Sequence, residues 1–218
     1  MKVVVVYSGG LDSTVLLHHA VKLHGKENVI AFSFDYGSKH NLKELECAEW
    51  QTKQLGIKHI FFNLQSIKDH FKSTLLKGGD KIPHGHYAEK NMEKTVVPQR
   101  NGILLLITAG YVESIGGGEV WIGSHAGDHF IYRDCRPEYN RILNMVIEYG
   151  SRNKVSLKAP FNKMYKWDIV KRGVELGVDF SMTWSCYEGR NVHCGKCGTC
   201  TERIEAFEKA GVEDILMK

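Results

Sequence analysis

The sequence predicts an α/β fold: a doubly wound parallel sheet carrying a small four-cysteine knuckle near the C-terminus. Three observations carry this reading. Short β-branched or aromatic runs alternate with helical patterns; the first run, Val3-Val4-Val5-Val6, turns through Ser8-Gly9-Gly10 straight into a helix; and Cys186, Cys194, Cys197 and Cys200 follow the spacing C-x7-C-x2-C-x2-C. Strand–helix alternation of this kind implies right-handed crossovers and a parallel sheet. Ligands of such sheets sit beyond the carboxyl ends of the strands, which is where the Ser-Gly-Gly turn falls.

The elements follow in order. Residues 2–7 read as a buried strand, and Leu16, Ala20 and Leu23 mark one face of a helix ending at Gly25. A second strand over 29–34 closes on Asp35-Tyr36-Gly37. Leu42, Leu45, Ala48 and Leu55 share helical spacing and stop at Gly56, and 59–64 is a third strand. Between Lys77 and Lys94 the pattern fails in a polar, glycine-rich stretch, either a solvated loop or a lid over the site. Its His84 and His86 read as two surface histidines rather than a metal pair. Residues 103–115 are apolar nearly all round and predict a buried helix. Then come a strand over 119–123 and a helix over 137–149 with Ile142, Met145, Val146 and Tyr149 facing inward. A short strand over 155–159 follows, and a last helix holds Ile169, Gly173 and Val174 and exits at Gly177. No internal repeat, low-complexity tract or linker interrupts the chain.

The 218 residues suit one α/β unit with an appendage; 43% are hydrophobic and 25% charged. A net charge of +4 is too mild to call for nucleic acid by itself. No apolar stretch is long enough for a membrane. The N-terminal apolar run is too short for a secretory signal, so a cytoplasmic chain with six reduced cysteines is expected.

A strand that ends in Ser-Gly-Gly and opens a helix makes a phosphate cradle. Glycine lets the backbone turn and approach closely, and the unpaired N–H groups and positive end of the helix dipole face an anion. Ser8, Ser13 and Thr14 add hydroxyls, and Asp12 can hold a magnesium-bound water or cap the helix. The run Ser8-Gly9-Gly10-Leu11-Asp12-Ser13 resembles the PP-loop of the N-type ATP pyrophosphatases, and no G-K-[ST] follows that would make it a Walker A loop. The four cysteines read as one closed, structural Zn²⁺ site, since each C-x2-C step lets two thiolates reach one ion; the alternatives are disulfides, which a reducing compartment disfavours, and an iron–sulfur cluster. Two polar runs complete the candidates. Asp128, Asp134 and Arg136 lie in a stretch that follows a strand, where a carboxylate could accept from a guanine-like base and an arginine clamp an anion. Arg100 and Asn101 begin the apolar helix and could reach an anion there. Cys47 and Cys135 are read as packing residues.

At this point the chain resembles one family. Ser8–Ser13, Phe34-Asp35-Tyr36-Gly37, Val97-Pro98-Gln99-Arg100-Asn101, Tyr132-Arg133-Asp134-Cys135-Arg136, Thr183-Trp184-Ser185-Cys186-Tyr187 and Cys194–Cys200 occur in the order seen in 7-cyano-7-deazaguanine synthases. Arg133 stands where that family commonly has proline, and Gln99 where glycine or aspartate is familiar. The resemblance implies an adenine nucleotide alpha hydrolase-like, Rossmann-like fold: one ATP pyrophosphatase domain over 1–218 with a zinc segment over 183–203. It implies a carbon–nitrogen ligase that adenylates 7-carboxy-7-deazaguanine with ATP and Mg²⁺, lets ammonia displace AMP, and activates the amide with a second ATP to leave the nitrile. Tyr7, Ser8, Gly9, Gly10, Leu11, Asp12, Ser13 and Thr14 would hold the nucleotide and its pyrophosphate, with Phe34 and Asp35 on the adenosine side. Arg100 would meet developing phosphate charge together with Asp12 and Ser13. Arg100, Asn101, Asp128, Tyr132, Asp134 and Arg136 would orient the deazaguanine. A homodimer without direct nucleic-acid contact is expected. Competing readings are an amide-forming paralogue, a tRNA-modifying enzyme with the same loop, and a zinc-ribbon binding module.

Overall fold

The computed structural model describes residues 1–217. Five parallel strands, β1 (Lys2–Val6), β2 (Val29–Asp35), β3 (Lys58–Asn63), β4 (Gly118–Trp121) and β5 (Val155–Lys158), form one sheet in the order β3-β2-β1-β4-β5. The helices are α1 (Leu11–His24), α2 (Asn41–Leu55), the single turn α3 (Ile67–His70), α4 (Arg100–Ser114), α5 (Pro137–Gly150), α6 (Lys166–Glu175) and α7 (Gly198–Ala210). All five expected strands are present, each within about two residues of its expected limits. The helix α7 follows Cys197 directly; Cys200, Arg203, Ala206 and Phe207 recur at helical spacing on its buried side.

Both faces of the sheet are covered, so β1 is apolar without alternation. Val3 and Val5 pack under α1, α6 and α7, while Val4 packs under α4 and α5. The chain runs outward from β1 through β2 to β3, then crosses back to lay β4 against the other side of β1. The cleft between the ends of β1 and β4 is the switch point where such sheets bind ligands.

Several expected inward faces point to solvent. Leu23 and Leu42 are exposed, as is Leu106 on α4. On α5 the stripe Ile142, Met145, Val146 and Tyr149 is exposed, and Asn140, Leu143 and Ile147 face inward instead. The rotation of α5 is set by polar bonds. Asn140 Nδ2 donates to Ser124 Oγ (3.1 Å), and Asn144 Oδ1 accepts from the Leu157 amide (2.6 Å). An α5 turned to bury Ile142 and Val146 would lose both.

The stretch 77–94 is strapped down. Gly85 N donates to Lys196 O (3.0 Å) and His84 bridges to Cys197. His84 and His86 meet Glu188 and Glu205 at 3.1 and 2.9 Å, as surface histidines rather than a metal pair.

Candidate active site

The turn after β1 has the geometry an anion needs. Gly9 takes φ +88°, and a Cβ there would stand 2.0 Å from Glu44 O, so only glycine lets the loop lie this close to α2. Ser8 Oγ accepts from Gly10 N (3.0 Å) and meets Ser13 Oγ (3.2 Å), which in turn donates to Gly10 O (3.2 Å). These bonds hold the serine hydroxyls over the start of α1. Gly10 is the N-cap and no side chain caps the helix there, which leaves its first-turn N–H groups for a ligand. The cradle opens into a cavity of about 230 Å³ walled by the ends of β1, β2 and β4, the start of α4, and Asp128, Tyr132 and the knuckle.

Most of the expected site residues line this cavity: Tyr7, Ser8, Gly10, Leu11, Asp12, Ser13, Phe34, Arg100, Asn101, Asp128 and Tyr132. Five do not. Gly9 backs the cradle from behind. The Thr14 hydroxyl is buried against Tyr7 OH (3.3 Å). Asp35 accepts from Gly37 N (2.8 Å) and Gln65 Nε2 (2.6 Å), fixing the exit from β2. Asp134 accepts from the Asn101 amide (3.0 Å) and so holds the first turn of α4. Arg136 Nε donates to His129 O (2.9 Å). The last two orient the site from behind its wall. Arg100 faces the cavity over the Tyr36 ring, 5.7 Å from its centroid, and donates to Tyr36 OH (3.4 Å) and Asn101 Oδ1 (3.2 and 3.3 Å), with no ion-pair partner within 4 Å among the described residues.

The structure adds an ion cluster that no local motif announces. Lys166 Nζ lies 3.2 Å from Asp12 Oδ2 and pairs closely with Glu202. Burial works against the ammonium, but Asp12, Glu202 and Asp128 outweigh it and hold Lys166 above the ordinary lysine range. Buried His125 stands beside them, its Nε2 3.6–3.9 Å from Asp128, Asp12 and Glu202. Its Nδ1 accepts from Gly127 N (3.1 Å), which leaves the ring proton on Nε2 toward the carboxylates. Asp12 Oδ1 is buried and unpartnered among the described residues. Cys135 accepts from Asn101 Nδ2 (3.1 Å), and burial pushes its thiol well above the usual range, which disfavours the thiolate.

The sulfurs of Cys186, Cys194, Cys197 and Cys200 all lie within 4.8 Å of one another and could hold a metal ion. Amides of Lys196 and Cys197 point at Cys194 Sγ (3.4 and 3.3 Å), and that of Cys194 at Cys186 Sγ (3.4 Å), as thiolate ligands require.

The family model of the queuosine biosynthesis protein QueC matches residues 2–211. The chain belongs to the QueC family. It is 49% identical over 204 residues, 94% of this chain and 92% of the relative, to the 7-cyano-7-deazaguanine synthase of Desulfotalea psychrophila. The 7-cyano-7-deazaguanine synthase of Porphyromonas gingivalis is 45% identical over 210 residues, covering 96% and 94%. The fold is similar to NMN synthetase from Francisella tularensis (TM-score 0.52, 13% identity, 98% and 78% covered). It is also similar to the U34-tRNA thiolase NcsA from Methanococcus maripaludis with its [4Fe-4S] cluster (0.51, 13%, 96% and 67%).

Within the QueC family frame, the two unusual residues leave the cavity wall intact. Arg133 is exposed at the start of a single 3₁₀ turn, a place proline also suits. Gln99 is the non-glycine residue with positive φ (54°) among those described, and its Oε1 accepts from Tyr139 OH (2.8 Å). The QueC residues that sequence reading passed over are His40, Glu44, His125, Lys166 and Glu202, which reach the cavity or its floor from four separate elements. Lys166→Ala removes the cation shared by buried Glu202 and half-buried Asp12 and is expected to lower unfolding free energy by about 3 kcal/mol in urea titrations. Lys163→Ala, on the exposed turn before α6, should change it by less than about 0.5 kcal/mol.

Proposed function

We propose that this chain is a 7-cyano-7-deazaguanine synthase, making the nitrile from 7-carboxy-7-deazaguanine, ammonia and two molecules of ATP. The observation that carries the reading is the uncapped α1 N-terminus, opening into the cavity that Arg100, Asp128 and Tyr132 wall. In this reading Ser8, Gly10, Leu11 and Ser13 grip the β- and γ-phosphates and then the departing pyrophosphate. Arg100, a cation with no carboxylate within 4 Å among the described residues, meets the charge that develops as the substrate carboxylate attacks the α-phosphate. Such chemistry needs positioning and charge neutralisation, and no covalent enzyme intermediate. The apolar wall of Val6, Phe34, Leu104 and Ile122 suits the adenine. Asp128 and Tyr132 offer polar groups to the deazaguanine, and Asp134 and Arg136 keep Asn101 and the 126–132 turn in place.

The unpartnered Asp12 Oδ1 fits a Mg²⁺ ion or its water, with the ion screening the polyphosphate when bound. The cysteine set fits one structural Zn²⁺. Tetrahedral Zn–S bonds of about 2.3 Å put sulfurs about 3.8 Å apart, and Cys194 Sγ and Cys200 Sγ are 3.9 Å apart. A four-iron cube needs its sulfur ligands farther apart. Reduced thiols and ATP use suit the cytoplasm, and no helix among the described residues is long and apolar enough to cross a membrane. The mild charge supports small-molecule substrates rather than direct contact with nucleic acid. The exposed α5 stripe supports a homodimer packed through Ile142, Met145, Val146 and Tyr149.

Mass spectrometry of a reaction with ATP, Mg²⁺, ammonium and 7-carboxy-7-deazaguanine should give the nitrile with two AMP per product, and Asp12→Ala should release pyrophosphate at least about 100-fold more slowly. Amide alone would mark an enzyme that stops halfway; no AMP at all would sink the reading. Cys197→Ser should lose one equivalent of zinc by elemental analysis along with folding stability, and a stable, metal-free, active variant would contradict the structural role. Val146→Glu should convert a dimer to a monomer in sedimentation velocity while the wild type stays dimeric at the same concentration; a monomeric wild type would remove the homodimer.

A further inference from the structure

Glu44 is a carboxyl group that the chemistry above leaves unused, and the fold sets it in the phosphate cradle. It sits in the first turn of α2, whose backbone presses on Gly9. Its Oε1 lies 3.6 Å from the point where a Gly10 side chain would begin, and it lines the cavity beside Ser8 and Gly10. Among the described residues no ammonium pairs with it as Lys166 pairs with Asp12. The groups that face it are His40, whose Nε2 stands 3.5 Å from Glu44 Oε2, the Arg100 guanidinium, the hydroxyls of Tyr7 and Tyr36, and the Cys47 thiol. The Tyr7, Tyr36 and Cys47 groups are themselves held neutral by burial. Burial, only partly offset by Arg100 and Ser8, pushes the Glu44 carboxyl up to about 8.

We infer that Glu44 is a polyphosphate-binding residue that works as a neutral acid, its O–H donating to a phosphoryl oxygen of ATP held in the Ser8–Ser13 cradle. The inference rests on the reading of that cradle as the ATP site. A carboxylate and a phosphoryl oxygen are both acceptors and both negative, so they can share a hydrogen bond only through a proton. Glu44 therefore binds the ligand when protonated and repels it when ionised. The sign follows: affinity is full at lower pH and is lost as pH rises through about 8, and binding above that pH takes up a proton. Arg100 then stays free for the α-phosphate, since it is not consumed as the counter-ion of an ionised Glu44.

The test is isothermal calorimetry of Mg-ATP binding from pH 7.5 to 9.5, in paired buffers of different ionisation enthalpy; the phosphates of ATP are fully ionised throughout that range. Wild-type affinity should fall, approaching about tenfold per pH unit above the Glu44 midpoint, with close to one proton taken up per ATP at the alkaline end. Glu44→Gln keeps a neutral donor in place and should bind with an affinity flat across the range and with no proton uptake. A wild type that is flat in pH and takes up no proton overturns the inference, as does a Glu44→Gln protein that declines in parallel with it. If Glu44→Gln does not fold, the wild-type proton uptake decides alone. A wild type that binds no Mg-ATP at any pH would instead sink the ATP cradle itself, and failure to form the nitrile would leave this test standing.

Discussion

One buried ammonium ties the working parts of this molecule together. Lys166 reaches from α6 to Asp12 in the cradle and to Glu202 on α7, and the same carboxylates surround His125 from the loop after β4. Four segments far apart in sequence thus meet at one charge. In a poorly solvated interior the attraction between such groups is strong, and removing one partner leaves the others uncompensated. The cluster holds Asp12 with one oxygen against Lys166 and the other buried and unpartnered among the described residues, so the cradle is shaped by the fold itself. Preorganisation of this kind keeps binding energy from being spent on ordering the loop.

The knuckle stands outside the chemistry yet shares in that order. Cys197 is the N-cap of α7, Cys200 lies in its first turn, and Glu202 follows two residues later. Arg203, fully buried, fastens the helix to Asp214 (Nε to Oδ2, 2.6 Å) and to Thr183 (Nη1 to Oγ1, 2.9 Å). The next residue closes the circuit, because Trp184 N donates to Gly9 O (3.0 Å) on the back of the cradle. A metal ion bound by the four cysteines would therefore steady the phosphate site through covalent geometry and hydrogen bonds, without touching the ligand.

Two carboxyl groups flank the cradle in different surroundings. Asp12 lies 3.2 Å from the Lys166 ammonium; Glu44 is buried, which favours the acid against the opposing pull of Arg100 and Ser8. On the proposed reading, a polyphosphate would meet a magnesium-binding carboxylate on one side and a hydrogen-bond donor on the other. Separation of two like groups by environment is a recurrent way for one site to hold both an anion's counter-ion and a donor for it.

What the sequence determined by itself was whatever depends on neighbours in the chain. The five strands are legible because β-branched runs bounded by turns leave few other choices. The Ser8–Ser13 cradle is legible because glycine and serine at those spacings have one local geometry, and the cysteine set because C-x2-C steps bring thiolates together within a single turn. The tertiary structure decided the rest. Helix α5 carries two apolar stripes of equal period, and only the bonds of Asn140 to Ser124 and of Asn144 to Leu157 select Leu143 and Ile147 for the core. Asp134 and Arg136 have the chemistry of ligand contacts, but an amide and a carbonyl brought beside them by folding claim their side chains. Glu44, Lys166 and Glu202 stand in no motif that the sequence singles out. They belong to the site because α2, α6 and α7 pack around the cradle, and the energy of a charge depends on the solvent and partners that packing removes or supplies.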